Sequence, residues 1–219
     1  MSITLFAHPF SSYCQKVLIA LYENDTPFDY RVLAPGDERT AAEHAALWPL
    51  KRMPVLVDEG RTVVESSIII EHLGLHHPGP TRLIPEDPRA ALDVRTMDRF
   101  FDNYIMTPTQ KIVFDSIRAA ENRDRQGVAE ARALLDAAYR WLEDAMKGRE
   151  WAAANAFSLA DCAAAPALFY ADWAHPIAKE LSNVHAYRRR LLAWPSFARA
   201  VDEARPYRRL FSLGAPDRD

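Results

Sequence analysis

Apolar and polar positions change rhythm partway along the chain. In its first part, short runs rich in β-branched and aromatic residues alternate with stretches whose apolar residues recur at helical spacing. These patterns predict strands at 3–7, 28–33, 55–57 and 62–64 and helices at 12–23, 37–47 and 66–73, giving the order βαβαββα. Asp58-Glu59-Gly60-Arg61 separates the last two strands. It is a tight acidic turn with a glycine for the positive φ that hairpins favour, so the two strands should pair antiparallel.

Pro78, Gly79, Pro80, Pro85 and Pro88 prevent any regular element between His77 and Arg89. The expected organisation is a first domain at 1–77, a linker at 78–88 and a second domain at 89–219. Asp87 followed by Pro88 supplies an N-cap and a first-turn proline. A long helix should follow, with Leu92, Met97, Phe100, Phe101, Tyr104 and Ile105 as its apolar positions. Pro108 should kink it rather than end it, because Ile112, Val113 and Ile117 continue the period. Further helices are expected at 125–147, 158–173, 183–193 and 195–204, which makes the second domain all helical. Its alanine-rich runs, such as Ala163 to Ala165, suit close helix packing.

Composition narrows the partners. With 49% hydrophobic and 26% charged residues the chain can bury a core, and 30 acidic against 27 basic residues give a net charge of -3. No global field draws it to nucleic acid or anionic lipid. Arg188, Arg189, Arg190, Arg205, Arg208 and Arg209 form a basic C-terminal region, but no nucleic-acid motif accompanies them. No apolar run approaches the roughly 20 residues that span a bilayer, and no signal-peptide pattern is visible, so a cytoplasmic protein is expected. Cys14 and Cys162 fall in different domains and should be reduced thiols.

Three short segments carry candidate chemistry. His8-Pro9-Phe10-Ser11-Ser12-Tyr13-Cys14-Gln15-Lys16-Val17 is a strand-to-helix turn with hydroxyls and a thiol at the helix start. Free amides and the dipole there favour an anion, including a thiolate; a simple serine N-cap is the alternative, and Cys14, three residues inside the helix, is expected to point into the domain as a small hydrophobe. In Trp48-Pro49-Leu50-Lys51-Arg52-Met53-Pro54-Val55-Leu56 a proline opens a strand, and either isomer of its peptide bond is open. Glu65-Ser66-Ser67 joins the last strand to its helix, where amides can receive a carboxylate and Glu65 an ammonium, or where a plain cap forms. His72 and His76 have a helical metal-binding spacing, but the sequence offers no third ligand in a recognisable pattern, so no metal is expected.

Taken in order, these segments give nearly the whole chain a resemblance to the cytosolic glutathione transferase family. The resemblance implies an α/β plus all-α fold: a thioredoxin-like N-terminal domain followed by an all-helical glutathione transferase C-terminal domain. Ser11-Ser12-Tyr13-Cys14 resembles the active-site turn of the serine and cysteine classes, with Ser11 in place of the first cysteine of a glutaredoxin-type C-x-x-C. Phe6 stands near where tyrosine-type classes carry their hydroxyl. Met53-Pro54 is similar to the family's cis-proline segment, and Glu65-Ser66 to the pair that holds the γ-glutamyl group. Phe157-Ser158-Leu159-Ala160-Asp161 resembles the family's buried capping motif. Trp48, Lys51 and Arg52 depart from the common Asn-Pro-x-Gly-Lys pattern, although Arg52 keeps a positive charge for a glutathione carboxylate.

The implied reaction is that of a glutathione transferase, with glutathione as co-substrate and a small electrophile as partner, in a homodimer with a role such as detoxification. Ser11 would be catalytic, donating to the thiolate; Arg52, Met53, Pro54, Glu65 and Ser66 would bind glutathione. Met97, Phe101, Tyr104 and Met106 are candidates for the electrophile wall. Alternatives are a thiol-disulfide reductase or isomerase using Cys14 or Ser11, with the zeta-class maleylacetoacetate isomerases as one relative, and a non-catalytic scaffold of the same fold.

Overall fold

The computed structural model describes residues 3–219. β1 (Ile3–Ala7), α1 (Ser12–Glu23) and β2 (Phe28–Val32) open the chain, and α2 (Glu38–Leu47) leads to a hairpin of β3 (Val55–Asp58) and β4 (Arg61–Val64). α3 (Ser66–His76) closes this unit. The sheet runs β2-β1-β3-β4, with β1 parallel to β2 and antiparallel to β3. Central β1 buries Ile3, Leu5, Phe6 and Ala7, and Leu5 lies opposite Leu56. This is a thioredoxin-like arrangement.

Asp58 pairs with Arg61 across the hairpin. The two turn residues, Glu59 and Gly60, both have positive φ, 48° and 82°. That geometry matches the right-handed twist of the flanking strands. α3 runs past the expected 73 to His76, since Gly74 alone does not stop a helix; Pro78, which disfavours helical backbone at His77, does.

The second half is helical: α4 (Pro88–Phe100), α5 (Thr107–Ser116), α6 (Arg125–Ala145), α7 (Leu159–Ala174), α8 (Ser182–Ala193) and α9 (Pro195–Ala204). Asp87 caps α4 by accepting from the Ala90 amide at 2.8 Å. Between α4 and α5 the chain is π-helical over Phe101–Met106. Pro108 has no amide to donate back to Tyr104 and its ring crowds that carbonyl. The expected kink is therefore a widened turn immediately before the proline. Of the apolar positions assigned to this helix, Met97, Phe101 and Ile105 are buried, whereas Leu92 and Tyr104 are exposed.

α7 is the spine of the molecule. Every residue from Leu159 to Ala174 is buried, and the helix packs against α1 and α4, its alanines allowing close approach. The half made of helices is further tied to α1 by Trp194 Nε1 donating to Glu23 at 2.9 Å and by Tyr22 donating to Glu203 at 2.5 Å. Much of the basic C-terminal region is paired internally: Arg188 and Arg218 lie on Asp172, and Arg205 and Arg208 on Asp219. Among the described residues no helix is long and apolar enough to cross a membrane.

Asp161, in the first turn of α7, accepts from the amide and hydroxyl of Ser158, both at 2.9 Å. It also accepts from the Ala152 amide at 3.0 Å and from the Tyr187 hydroxyl at 2.5 Å. Removing it leaves buried donors without an acceptor, each costing about 1–3 kcal/mol. Asp161→Ala should lower unfolding free energy in urea by at least about 3 kcal/mol; a loss below about 1 kcal/mol would show that these donors find water or other partners.

Candidate active site

Three chain segments form the candidate site. Ser11 is the N-cap of α1, with extended backbone (φ -91°, ψ 126°), and its side chain makes no capping bond. Its amide donates to the His8 carbonyl at 3.0 Å and its carbonyl accepts from Gln15 at 2.8 Å, which fixes the turn and leaves the hydroxyl unspent on the helix end. Cys14 has no exposure. Burial pushes its thiol up to about 11, against the lowering pull of Ser11 and of the His8 backbone. The helix start does not generate a thiolate here, because desolvation outweighs the dipole.

The Met53-Pro54 peptide is cis, the isomer the sequence left open. Pro54 is buried and Met53 partly so. Arg52 is exposed; its carbonyl bonds His44 Nε2 at 2.9 Å, while its guanidinium is in no ion pair among the described residues. Lys51 has φ 53°, a left-handed conformation, at the place where the family pattern has glycine. Trp48 caps α2, its amide donating to the His44 carbonyl at 2.9 Å.

Glu65 precedes α3 with φ 68° and ψ 116°, outside the regions open to side-chain-bearing residues. It is exposed and its side chain makes no cap bond. Such backbone persists only where its surroundings impose it, and it concentrates at functional sites. Ser66 follows as the first, buried residue of α3. Phe6, by contrast, is buried with its ring 6.2 Å from that of His44.

Tyr13 connects these parts. Burial first, then the Asp102 and Glu65 carboxylates, push its phenol up to about 12 against the lowering pull of Thr107 and Arg99. The start of α1, Glu65 and the π-helical segment thus share one electrostatic environment.

Beneath them lies a cluster that composition and spacing gave no reason to expect. Lys16 is fully buried, with Nζ 2.5 Å from Asp98 and 2.8 Å from Asp102, and donates to Ser67 Oγ at 2.9 Å. Ser67 donates in turn to Asp98 at 2.8 Å, and Arg99 covers Asp98, Asp102 and Ser67 from the solvent side. Burial raises the Asp102 carboxyl, with Lys16 as the main opposing influence. The available signal was a lysine within the apolar run that follows Cys14, and two aspartates four apart on the facing helix. Of the expected electrophile wall, Met97, Phe101 and Met106 are core residues; Tyr104, 51% exposed, is the one facing solvent.

Residues 5–81 match the sequence profile of the glutathione S-transferase N-terminal domain, and residues 125–190 that of the C-terminal domain. A glutathione S-transferase from Methylobacterium radiotolerans, solved in complex with glutathione sulfonate, is 30% identical, with a TM-score of 0.79 over 92% of this chain and 95% of its own. The chain belongs to the glutathione S-transferase family. A probable maleylacetoacetate isomerase of Vibrio cholerae is 27% identical over 94% of this chain and 98% of its own. A glutathione S-transferase from Methylobacillus flagellatus, solved with glutathione bound, has the same fold, with a TM-score of 0.81 at 23% identity over 91% of this chain and 98% of its own.

Within this glutathione S-transferase fold Cys14 serves as core. At pH 8 a thiol with a pKa of about 11 is thiolate in about one molecule in a thousand. Iodoacetamide at pH 8 should leave Cys14 unlabelled in the native protein, and label it when the protein is unfolded in urea. Rapid native labelling, read by peptide mass, would contradict this.

Proposed function

We propose that this chain is a glutathione transferase of the serine type. Glutathione binds along the unit at residues 1–77, its γ-glutamyl group at Glu65 and Ser66 and its cysteinyl backbone against Met53 beside Pro54. Its glycyl carboxylate is within the reach of Arg52. Ser11 donates a hydrogen bond to the sulfur, favouring thiolate over thiol and holding it toward the electrophile. The segment at 78–88 links this unit to residues 89–219, whose exposed Tyr104 borders the electrophile's side. The enzyme acts as a cytoplasmic homodimer.

The observation that carries this reading is the backbone of Glu65, φ 68° and ψ 116°, held at a helix start with no cap bond to account for it. The unspent hydroxyl of Ser11 supports it. A thiol-disulfide enzyme using Cys14 is disfavoured by that residue's burial and raised pKa. An isomerase remains the second reading, favoured by the Vibrio cholerae relative that covers 94% of this chain. The same activated thiolate serves it by adding to a carbon–carbon double bond, letting the resulting single bond rotate, and leaving.

The role of Ser11 is testable by thiolate absorbance against pH in the glutathione complex. Ser11→Ala should raise the pKa of the bound thiol by on the order of one unit, 1.36 kcal/mol. It should lower kcat by about tenfold or more with a smaller change in KM, because the bond strengthens as the thiolate forms. An unchanged thiol pKa would remove Ser11 from this role.

A further inference from the structure

Sequence spacing points to His72 and His76 as a pair, but the fold brings a different pair together. α3 ends at His76, and His77 leaves the helix at φ -133° and ψ 55°. Its ring turns toward the end of β3. There His77 Nε2 lies 2.7 Å and His72 Nε2 2.8 Å from the same oxygen, Asp58 Oδ2. The ligand atoms of the three residues all lie within 4.8 Å of one another. His76 stays exposed, its ring 4.4 Å from that of His72.

A second observation separates this cluster from an ordinary hydrogen-bonded aspartate. Asp58 is buried, and its other oxygen, Oδ1, has no hydrogen-bond partner among the described residues. A buried carboxylate oxygen left without a partner is costly. A cation bound at Oδ2 would neutralise the carboxylate charge that the unpartnered Oδ1 shares, lowering the cost of burying it.

We propose that Asp58, His72 and His77 form a binding site for a divalent ion of the zinc type. Two imidazole nitrogens and one carboxylate oxygen suit zinc, with a fourth position left for water or a small anion. Iron sites built from two histidines and a carboxylate need several open positions. Here Asp58 and His72 are buried and only the side of His77 opens to solvent, which favours four-coordination. Tetrahedral zinc with bonds of about 2.0–2.2 Å holds its ligand atoms about 3.3 Å apart. Seating the ion thus requires the two nitrogen–oxygen pairs to open by about 0.5 Å, a side-chain rotation available to His77 outside the helix. Both rings must present a lone pair at Nε2, so each takes the Nδ1–H tautomer and any proton shared with Asp58 leaves to solvent. The ion would tie the β3–β4 hairpin to the end of α3, apart from Ser11 and Glu65.

The test is competition of zinc chloride between a chromophoric chelator and the tag-free full-length protein, with circular dichroism as the control for folding. Wild type should bind one zinc per chain with micromolar or tighter affinity. Asp58→Asn and His77→Ala should each weaken binding on the order of tenfold or more, and His76→Ala should leave it nearly unchanged. Should Asp58→Asn fail to fold, His77→Ala, outside the helix and partly exposed, decides alone. Absence of stoichiometric zinc binding, binding that survives His77→Ala, or loss in His76→Ala instead would overturn the proposal, the last by assigning the site to the helical pair.

Discussion

The buried ammonium of Lys16 is the constraint on which the rest of the site depends. An ammonium removed from water costs several kcal/mol unless it is paired and fully hydrogen-bonded. Lys16 is compensated only by groups on other elements: it donates to Ser67 on α3 and Asp102 in the π-helical segment and pairs with Asp98 on α4. Three pieces of chain must therefore arrive together. The start of α1, with Ser11, and the start of α3, with Glu65 and Ser66, are held against the long helix by the same cation. Deleting one partner of such a group typically costs about 3–5 kcal/mol, so the cluster specifies the arrangement more than it strengthens it.

The π-helical turn belongs to the same constraint. Asp98 lies in the last turn of α4 and Asp102 in the widened part, and both carboxylates lie against Lys16. Pro108 supplies the reason for widening, since an uninterrupted α-helical ladder cannot pass the missing amide. Sequence marks the disturbance at Pro108, while the structure places its consequence one to two turns earlier, where it sets the carboxylates facing α1.

Much of the frame was legible in the residues. α1 at Ser12–Glu23 and α9 at Pro195–Ala204 have the predicted bounds because a serine and a proline mark their starts. The Glu59-Gly60 turn and the Asp161 cap follow from local chemistry in the same way. The buried roles were less visible. A lysine is expected at the surface, so Lys16 gives no sign of its place until the fold encloses it. Helical period puts Tyr104 and Met97 on one apolar list, yet only packing decides that Tyr104 faces water and Met97 the core. Cys14 was legible in part: a helix start favours a thiolate, but its place three residues inside the helix points it into the domain, and its complete burial bears out the second reading. His77 was hidden because the helix ends at His76 and the chain turns back, which no helical spacing describes.

The proposed glutathione site lies at the starts of α1 and α3, where these constraints meet. Calorimetric titration of the purified full-length protein with reduced glutathione near neutral pH tests it most directly. Saturable binding with about one site per chain in the micromolar to millimolar range is expected. An absence of heat at high glutathione, confirmed by a second binding method, would contradict it and leave a family fold whose site is closed.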